Sequence, residues 1–281
     1  MMLQLDHNKV LSLLPERDLY AHKGSFGKLL LLCGSKGYTG AAALAAMGAL
    51  RCGAGLVYLA VPESIYTIEA VKLTEPIIHP LPDKDGNLSE KAIGEIESML
   101  SGKHALLIGP GIGVSEGTSE ILSYVLQYFN GPIIIDADGI TLLSKHKHLL
   151  RGRTEPTILT PHEGEFMRIG GKLTGDRAAD ASRLAKDLGA IVLLKGHNTI
   201  ITDGERIYCN PTGNPGMATG GSGDVLAGII TALIGQGLPA LEAAACGAWL
   251  HGAAGDMCAK ELGQYCMLPS DMLNVLPRLL K

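Results

Sequence analysis

Residues 28–51 read KLLLLCGSKGYTGAAALAAMGALR. An apolar run from Lys28 to Cys33 predicts a buried strand, and a glycine-rich loop from Gly34 to Ala42 follows it. The small residues from Ala41 to Arg51 then predict a helix. Strand, loop and helix in this order make half of a βαβ unit, the connection that joins parallel strands. A chain that repeats this order has an α/β fold with a parallel sheet.

The same order does recur along the chain. Further strands are predicted at Leu56 to Val61, Ala105 to Ile108, Pro132 to Ile135, Thr157 to Leu159 and Ala190 to Leu194. Further helices are predicted at Ser89 to Leu100, Ser115 to Tyr128 and Asp176 to Leu188. Short, continuous apolar runs are typical of parallel strands that helices cover on both faces. We therefore predict a three-layer α/β fold around a mostly parallel central sheet.

The pattern changes after residue 194. Thr199 to Thr202 and Arg206 to Cys209 are separated only by Asp203-Gly204-Glu205, which predicts a hairpin and an antiparallel edge. Later helices are predicted at Asp224 to Ile234, Pro239 to Lys260 and within Pro269 to Lys281, and a surface loop at Pro82 to Leu88. No linker rich in proline or serine interrupts the chain. We therefore expect residues 1–281 to form a single domain.

Composition limits the classes of partner. Apolar residues make up 46% of the chain and charged residues 19%, enough for a large core. A net charge of -4 without a long basic run predicts binding to neither nucleic acid nor an anionic membrane. The cysteines form no C-x-x-C pair, and no secretory signal or membrane-spanning apolar run is found. These features predict reduced thiols and a cytoplasmic protein.

The strongest local signal is the segment 214–224, NPGMATGGSGD, which runs directly into an apolar helix. Free N–H groups in the first turn of a helix bind anions, so a phosphate is expected against Gly221, Ser222 and Gly223. Asp224 beside it has two interpretations. It is a general base for a substrate hydroxyl, or it is only a helix-capping residue.

Four other loops follow predicted strands and carry polar or glycine residues. They are Gly109 to Gly113 (GPGIG), Asp136 to Asp138 (DAD), Thr160 to Glu165 (TPHEGE) and Lys195 to Thr199 (KGHNT). Each also has a purely structural interpretation: a tight turn, a helix cap, first-turn acids or a polar turn. Because ligands of open α/β sheets bind beyond the carboxyl ends of strands, we expect these four loops and the loop Gly34 to Ala42, five in all, to converge along one edge of the sheet. No P-loop motif occurs, so phosphate binding uses another architecture.

Taken together, the motifs resemble one family. In order they are GSxGYTGAA, GPGIG, DADG, TPHxGE, LKGxxT and NxTGxPxMATGGSGDVLAG, from about Lys23 to Asp256. They look like the NAD(P)H-hydrate dehydratase family, a branch of the ribokinase-like superfamily, and no motif position departs from its pattern. The resemblance implies a ribokinase-like three-layer fold. It also implies a lyase that uses ADP or ATP as co-substrate, with Mg²⁺.

The resemblance assigns roles to residues of this chain. Asp224 is expected to be the catalytic base on the substrate hydroxyl. The hydrated dinucleotide is expected to contact Ala41, Gly111, Gly113, His162 and Asp224. The nucleotide is expected to contact Lys195, Gly196, His197, Asn198, Thr199, Gly221, Ser222 and Gly223. Mg²⁺ is expected near Asp136, Glu163 and Glu165, partly through water.

The implied reaction restores NADH or NADPH from the S form of its hydrate through a phosphorylated intermediate, releasing AMP or ADP and phosphate. Bacterial members typically use ADP and eukaryotic members ATP. The chain resembles a stand-alone form without a fused epimerase domain, so a separate NAD(P)H-hydrate epimerase is an expected partner. We also expect a homo-oligomer, with a tetramer as one option. Two alternatives stay open: a related small-molecule kinase, such as hydroxyethylthiazole kinase, and a non-catalytic nucleotide sensor.

Overall fold

The predicted apolar runs form one sheet in a computed structural model, which describes residues 2–281. The strands are β1 (Lys28–Leu32), β2 (Leu56–Pro62), β3 (Ile77–Leu81), β4 (Asp83–Lys84), β5 (Asn87–Leu88), β6 (Ala105–Ile108), β7 (Ile133–Ile135), β8 (Thr157–Leu159), β9 (Ile191–Leu194), β10 (Thr199–Thr202) and β11 (Ile207–Asn210). Nine of them form one sheet in the order β11-β10-β9-β8-β7-β6-β1-β2-β3 within the described residues. In the order of the sheet, the seven strands from β9 to β3 run parallel, whereas β10 pairs antiparallel with both β9 and β11. The predicted antiparallel edge is confirmed.

Helices cover both faces of this sheet. They are α1 (His7–Leu13), α2 (Thr39–Arg51), α3 (Glu63–Lys72), α4 (Ile93–Leu100), α5 (Glu116–Tyr128), α6 (Asp138–Leu143), α7 (Glu163–Arg168), α8 (Arg177–Leu188), α9 (Ser222–Gly235), α10 (Ala240–Leu262) and α11 (Pro269–Leu279). Short 3₁₀ turns lie at Lys23–Phe26, Glu90–Ala92, Lys147–Gly152 and Pro215–Met217. The mostly parallel, helix-covered sheet confirms the predicted fold class.

Strand β1 shows why the continuous leucine run belongs in the middle of the sheet. Leu29 and Leu31 face a core that includes residues of α2, α9 and α10, while Leu30 and Leu32 face a second core that includes residues of α4, α5 and α8. Alternate side chains of a strand point to opposite faces, so a strand buried on both sides needs apolar residues throughout. The run KLLLL meets that requirement.

The packing of α9 against α2 depends on a glycine. A Cβ atom added at Gly228 would lie 2.1 Å from the carbonyl oxygen of Ala45. Only a residue without a side chain allows this close approach of two helix backbones. The contact fixes the position of α9, whose first turn carries Ser222, Gly223 and Asp224.

Two regions differ from the sequence prediction. The segment Pro82 to Leu88 is a small hairpin of β4 and β5, and Leu88 at its end is buried. Strand β3 was not predicted, because its sequence IIHPL contains a proline, which a central strand does not tolerate. In the structure β3 is the edge strand, with β2 as its one neighbour in the sheet, and an edge strand tolerates a proline such as Pro80.

The small-residue stretch Ala240 to Ala254 lies in α10. In the structure nearly all of it is buried within the same chain. It therefore gives no support to an oligomer. Among residues 2–281, no helix combines the length and apolarity needed to cross a membrane.

Candidate active site

The chain changes direction in the sheet between β1 and β6, and the loops after these strands meet there. The N–H of Gly34 donates to the carbonyl oxygen of Pro110 at 2.8 Å, and Ser35 Oγ donates to that of Gly111 at 2.8 Å. The loops after β7, β8 and β9 lie beside them, because these strands are parallel neighbours. The predicted loops therefore do converge on one edge of the sheet.

Lys195 is at the centre of the charged part of this edge. Its Nζ donates to Asp136 Oδ1 at 2.9 Å and lies 3.8 Å from Glu165 Oε2. Thr160 Oγ1 donates to the same Asp136 oxygen at 2.7 Å. Burial by itself lowers the pKa of Lys195, but the negative charges of Asp136 and Glu165 outweigh it and raise the pKa above its usual value. Lys195 is therefore a fixed cation, and Asp136 is its buried counter-charge.

The backbone beside Asp136 is strained. Ala137 has φ 50° and ψ -119°, a region that residues with a Cβ atom rarely adopt. This turn directs Asp136 toward Lys195, while Asp138 Oδ2 accepts a hydrogen bond from the N–H of Gly113 at 2.9 Å. Ala137 occupies the capping position of α6, so the purely structural interpretation of Asp138 as a helix cap is wrong; Asp138 holds the neighbouring glycine loop.

Asp224 lies in the first turn of α9 and is only partly buried. It makes no hydrogen bond or ion pair with any side chain of residues 2–281. Burial, followed by the negative charge of Asp136, raises the pKa of Asp224 to about 6 against the opposing charge of Lys195. A carboxylate with this pKa and no partner is suited to accept a proton near neutral pH.

The turn before Asp224 has the geometry of an anion site. Gly221 caps α9 with φ 96°, a left-handed conformation that favours glycine. A Cβ atom built on Gly223 would lie 3.4 Å from Lys195 Nζ and 3.6 Å from Asp136 Oδ2. Gly220 has open space around it. The N–H groups at the start of α9 therefore lie next to a lysine and face free volume.

A cavity of about 700 Å³ opens on this turn, a volume within the usual range for small-molecule sites. Its walls come from the end of β9, the loop before α9, the first turn of α9, and α10. The predicted nucleotide residues among them are Lys195, Gly196, His197, Thr199, Ser222 and Gly223, and the predicted substrate residue is His162. Asn198 and Gly221 belong to the same two loops but do not line the cavity; both have positive φ angles.

The other predicted substrate residues lie together on a second side of the site. A Cβ atom built on Gly111 would lie 2.8 Å from the Cβ of Ala41, and Gly113 is held by Asp138. None of these three residues lines the cavity. Asp138 and Lys195 both act on the pKa of Asp224. Asp224 is therefore close enough to Lys195, on the cavity wall, and to Asp138, which holds Gly113, for both charges to act on it.

His162 has a structural role in addition to its place on the cavity wall. Its Nδ1 accepts from the N–H of Gly164 at 3.0 Å and of Glu165 at 3.3 Å. In return Glu165 Oε2 accepts from the N–H of His162 at 2.8 Å. This reciprocal capping box begins α7 and places Glu165 near Lys195.

The three acids expected near Mg²⁺ do not form one ligand set. Asp136 and Glu165 both face Lys195, but Glu163 is half exposed and pairs with Arg177. Among residues 2–281 no group of three or more histidine, cysteine, aspartate or glutamate side chains is placed to hold a metal ion. Glu163 and Glu165, both in the first turn of α7, therefore have different partners. A role through water stays a prediction.

Three residues of the site were not predicted. Arg177 Nη2 donates to the carbonyl oxygen of Lys195 at 2.9 Å and so holds the turn after β9. Asp256 accepts from the N–H of Gly213 at 2.9 Å and from Asn214 Nδ2 at 3.0 Å, which ties the loop before α9 to α10. His251 lines the cavity from α10. Arg177 is the first residue of α8, and Asp256 and His251 lie within α10. The sequence pattern of a helix predicts only which of its residues are buried or exposed, so it did not mark these three as residues of the site.

Comparison with known proteins agrees with this geometry. A family model described as NAD(P)H-hydrate dehydratase matches residues 29–278. The chain belongs to that family. The NAD(P)H-hydrate dehydratase model spans every loop described above, from the turn after β1 to the first turn of α9.

Relatives of the dehydratase family cover almost the whole chain. A bifunctional NAD(P)H-hydrate repair enzyme of Moorella thermoacetica is 44% identical over 277 residues, 96% of this chain and 52% of that protein. The chain thus spans about half the length of the curated relatives it matches. An ADP/ATP-dependent NAD(P)H-hydrate dehydratase of Bacillus subtilis, co-crystallized with ATP/Mg²⁺, has a TM-score of 0.84 and 31% identity, covering 98% of this chain and 96% of that one.

A ribokinase-like superfamily protein of Enterococcus faecalis has a TM-score of 0.87 and 29% identity, covering 99% of this chain and 95% of that one. The ribokinase-like fold expected from the motifs is confirmed. The chain is thus a ribokinase-like member of the NAD(P)H-hydrate dehydratase family.

Proposed function

We propose that this chain dehydrates the S form of NADH or NADPH hydrate with ADP or ATP, a carbon–oxygen lyase reaction that releases AMP or ADP and phosphate. One observation carries the proposal. Asp224, which has no side-chain partner among residues 2–281, lies in the first turn of α9 next to Gly223 and near Lys195, two of the predicted nucleotide contacts that line the cavity. Membership of the NAD(P)H-hydrate dehydratase family supports it.

The two sides of Asp224 receive the two substrates. The cavity holds the nucleotide, with its phosphates toward Gly221, Ser222 and Gly223. The hydrated nicotinamide lies on the side of Ala41, Gly111 and Gly113, with His162 at the boundary. The helix N-terminus and Lys195 support the nucleotide assignment, since both attract phosphate locally although the net charge of the protein is -4.

In the first step Asp224 accepts the proton of the hydrate's hydroxyl group. The hydroxyl oxygen attacks the terminal phosphorus of the nucleotide; a new O–P bond forms and the bridging P–O bond breaks, releasing AMP or ADP. The N–H groups from Gly221 to Gly223 and the ammonium of Lys195 stabilise the charge that develops on the phosphoryl oxygens.

In the second step the C–O bond of the phosphorylated hydrate breaks. Phosphate leaves with the former hydroxyl oxygen, and a proton leaves the neighbouring ring carbon to solvent, which restores the ring's double bond. Phosphate is a far better leaving group than hydroxide. Phosphorylation therefore makes the dehydration feasible.

The chain's own residues do not fit a Mg²⁺ ion held by protein alone, because Asp136 and Glu165 are already engaged by Lys195 and Glu163 by Arg177. Mg²⁺ usually binds through substrate phosphates and only one or two carboxylates. Bound to the nucleotide, it would neutralise phosphate charge. The steps above rest on the residues of the chain.

Other expectations accompany this proposal. The nine-stranded sheet through the described residues supports a single domain over 1–281. A homo-oligomer, a separate epimerase partner and a cytoplasmic location stay predictions. Light scattering behind size-exclusion chromatography tests the first of these.

The function is tested by mixing the protein with NADH hydrate, Mg²⁺ and either ADP or ATP while the absorbance of reduced nicotinamide is followed. We expect that band to return only when a nucleotide is present, with one phosphate released for each NADH formed. Consumption of nucleotide with a stable phosphorylated product and no NADH indicates the alternative, a small-molecule kinase such as hydroxyethylthiazole kinase. No return of the band with either nucleotide rejects the proposal.

A further inference from the structure

The cavity contains a buried histidine that the reaction described above does not use. His251 lies on α10, is only 8% exposed and forms part of the cavity wall. Its Nε2 is 3.2 Å from Ser222 Oγ, in the first turn of α9. Ser222 is itself 7% exposed. The imidazole is therefore fixed one side chain away from the anion-binding turn.

The second ring nitrogen of His251 is free. Nδ1 makes no hydrogen bond with residues 2–281, and it is not one of their enclosed side-chain atoms that lack a partner. The ring lines the cavity, and Nδ1 is the ring nitrogen left for a ligand there. Buried polar atoms are almost always hydrogen-bonded, so a nitrogen held in this position is suited to a ligand.

The protonation state determines what this nitrogen can do. Burial lowers the pKa of His251 to about 4; a hydrogen bond between the ring and the backbone of Ser222 opposes this shift, and the charge of Lys195 assists it. The ring is neutral at pH 7, so one nitrogen donates a hydrogen bond and the other accepts. When the Ser222 hydroxyl donates to Nε2, Nδ1 carries the proton and donates into the cavity.

We propose that His251 is a nucleotide-binding residue, whose Nε2 accepts from Ser222 and whose Nδ1–H donates to an oxygen of the nucleotide's phosphate chain. We assign the contact to the phosphate end of the nucleotide because Ser222 belongs to the turn whose N–H groups are proposed to bind the phosphates. This inference rests on the proposed function, which places the nucleotide in the cavity.

Two substitutions of His251 test the contributions of its two ring nitrogens separately. The amide of asparagine reaches about as far as Nδ1, and the longer amide of glutamine reaches about as far as Nε2. We expect His251→Asn to keep ADP affinity within a few-fold of the wild type. His251→Gln should weaken it roughly 10- to 100-fold, the loss of a hydrogen bond to a charged group. Calorimetric titration with ADP gives the affinities, and unfolding curves show that both variants fold.

Equal weakening in both variants overturns the proposal, because the ring then acts only by filling space. Retained affinity in His251→Gln with loss in His251→Asn also overturns it, because His251 then acts only through Ser222. If either variant fails to fold, spectra of the wild-type protein with nitrogen-labelled histidine decide. The ADP complex should show the Nδ1–H form of His251, and the Nε2–H form contradicts the proposal.

The same titration separates this inference from the proposed function. A wild-type protein that binds neither ADP nor ATP rejects the proposed function, and this inference with it. A wild-type protein that binds ADP and restores NADH, with variants that show either overturning pattern, rejects only the role of His251.

Discussion

The end of β7 and the start of α9 each present an aspartate to the same cleft, in contrasting environments. Asp136, after β7, is 1% exposed and accepts hydrogen bonds from Thr160 and Lys195. Asp224, in α9, is partly exposed and has no side-chain partner among the described residues. The neighbourhood of each carboxylate decides its role: Asp136 fixes a cation, and Asp224 is free to take a proton.

The difference also explains how the two acids work together. The negative charge of Asp136 is the second cause, after burial, of the raised pKa of Asp224, which is about 6. A general base works best when its pKa lies near the working pH. Asp136 therefore helps to bring the pKa of Asp224 near the working pH, and substitutions of the two residues should have different effects.

The largest effect is expected from Asp224→Asn. The variant keeps the shape of the side chain but cannot accept the hydroxyl proton, so kcat should fall about 10²- to 10⁴-fold. Nucleotide affinity should stay nearly unchanged, because Lys195 and the turn at Gly221 to Gly223 are intact. Initial rates of NADH formation and calorimetry with ADP measure the two quantities. Asp187→Asn, on the exposed face of α8, is the matched control. Wild-type turnover in Asp224→Asn contradicts the base assignment.

Lys195→Met tests the fixed side of the comparison. Removing the cation leaves Asp136 buried without its counter-charge, which should lower the free energy of unfolding by about 3 kcal/mol and weaken ADP binding. Chemical denaturation measures the stability. Lys172→Met removes an exposed lysine and should change stability by less than about 0.5 kcal/mol. Equal stability of the two variants shows that Asp136 does not need Lys195.

The pH dependence tests the coupling between the two acids. In the wild type, kcat/KM should fall as the pH drops through about 6, because Asp224 becomes protonated. Asp136→Asn removes a negative charge that favours protonation, so the acid limb should move to lower pH. Asp138→Asn should move it in the same direction by less, since Asp138 is a smaller cause. The nucleotide's own phosphate titrates in this range, but equally for all proteins compared. If the acid limb of the kcat/KM profile lies at the same pH in Asp136→Asn as in the wild type, Asp136 does not raise the pKa of Asp224.

The smallest effect is expected from Glu163→Gln. Glu163 is 55% exposed and pairs with Arg177, so stability should change by less than about 1 kcal/mol. The Mg²⁺ concentration needed for half-maximal rate should also be unchanged. Glu165→Gln, at a buried position near Lys195, should cost more activity. A large rise in the Mg²⁺ requirement of Glu163→Gln restores this residue to the metal site.

Sequence patterns predicted the central sheet because buried parallel strands need unbroken apolar runs, and the runs at residues 105–108 and 157–159 match β6 and β8. They missed the edge strand β3 because its sequence contains Pro80, which argues against a central strand. The loops of the site were predictable because glycines and charged residues follow strands there. The direction of Glu163 was not, since it depends on Arg177 in another helix. His251 was not predicted because the small residues around it in α10 indicate only burial. Its contact with Ser222 of α9 depends on how the two helices pack.

The central claim is that the hydroxyl oxygen of the hydrate passes to the phosphoryl group beside Asp224. NADH hydrate labelled with heavy oxygen at that hydroxyl tests it directly, with mass spectrometry of the released phosphate and water. The account predicts that the label appears in phosphate, one labelled oxygen for each NADH formed. Label found in water, with unlabelled phosphate, contradicts it.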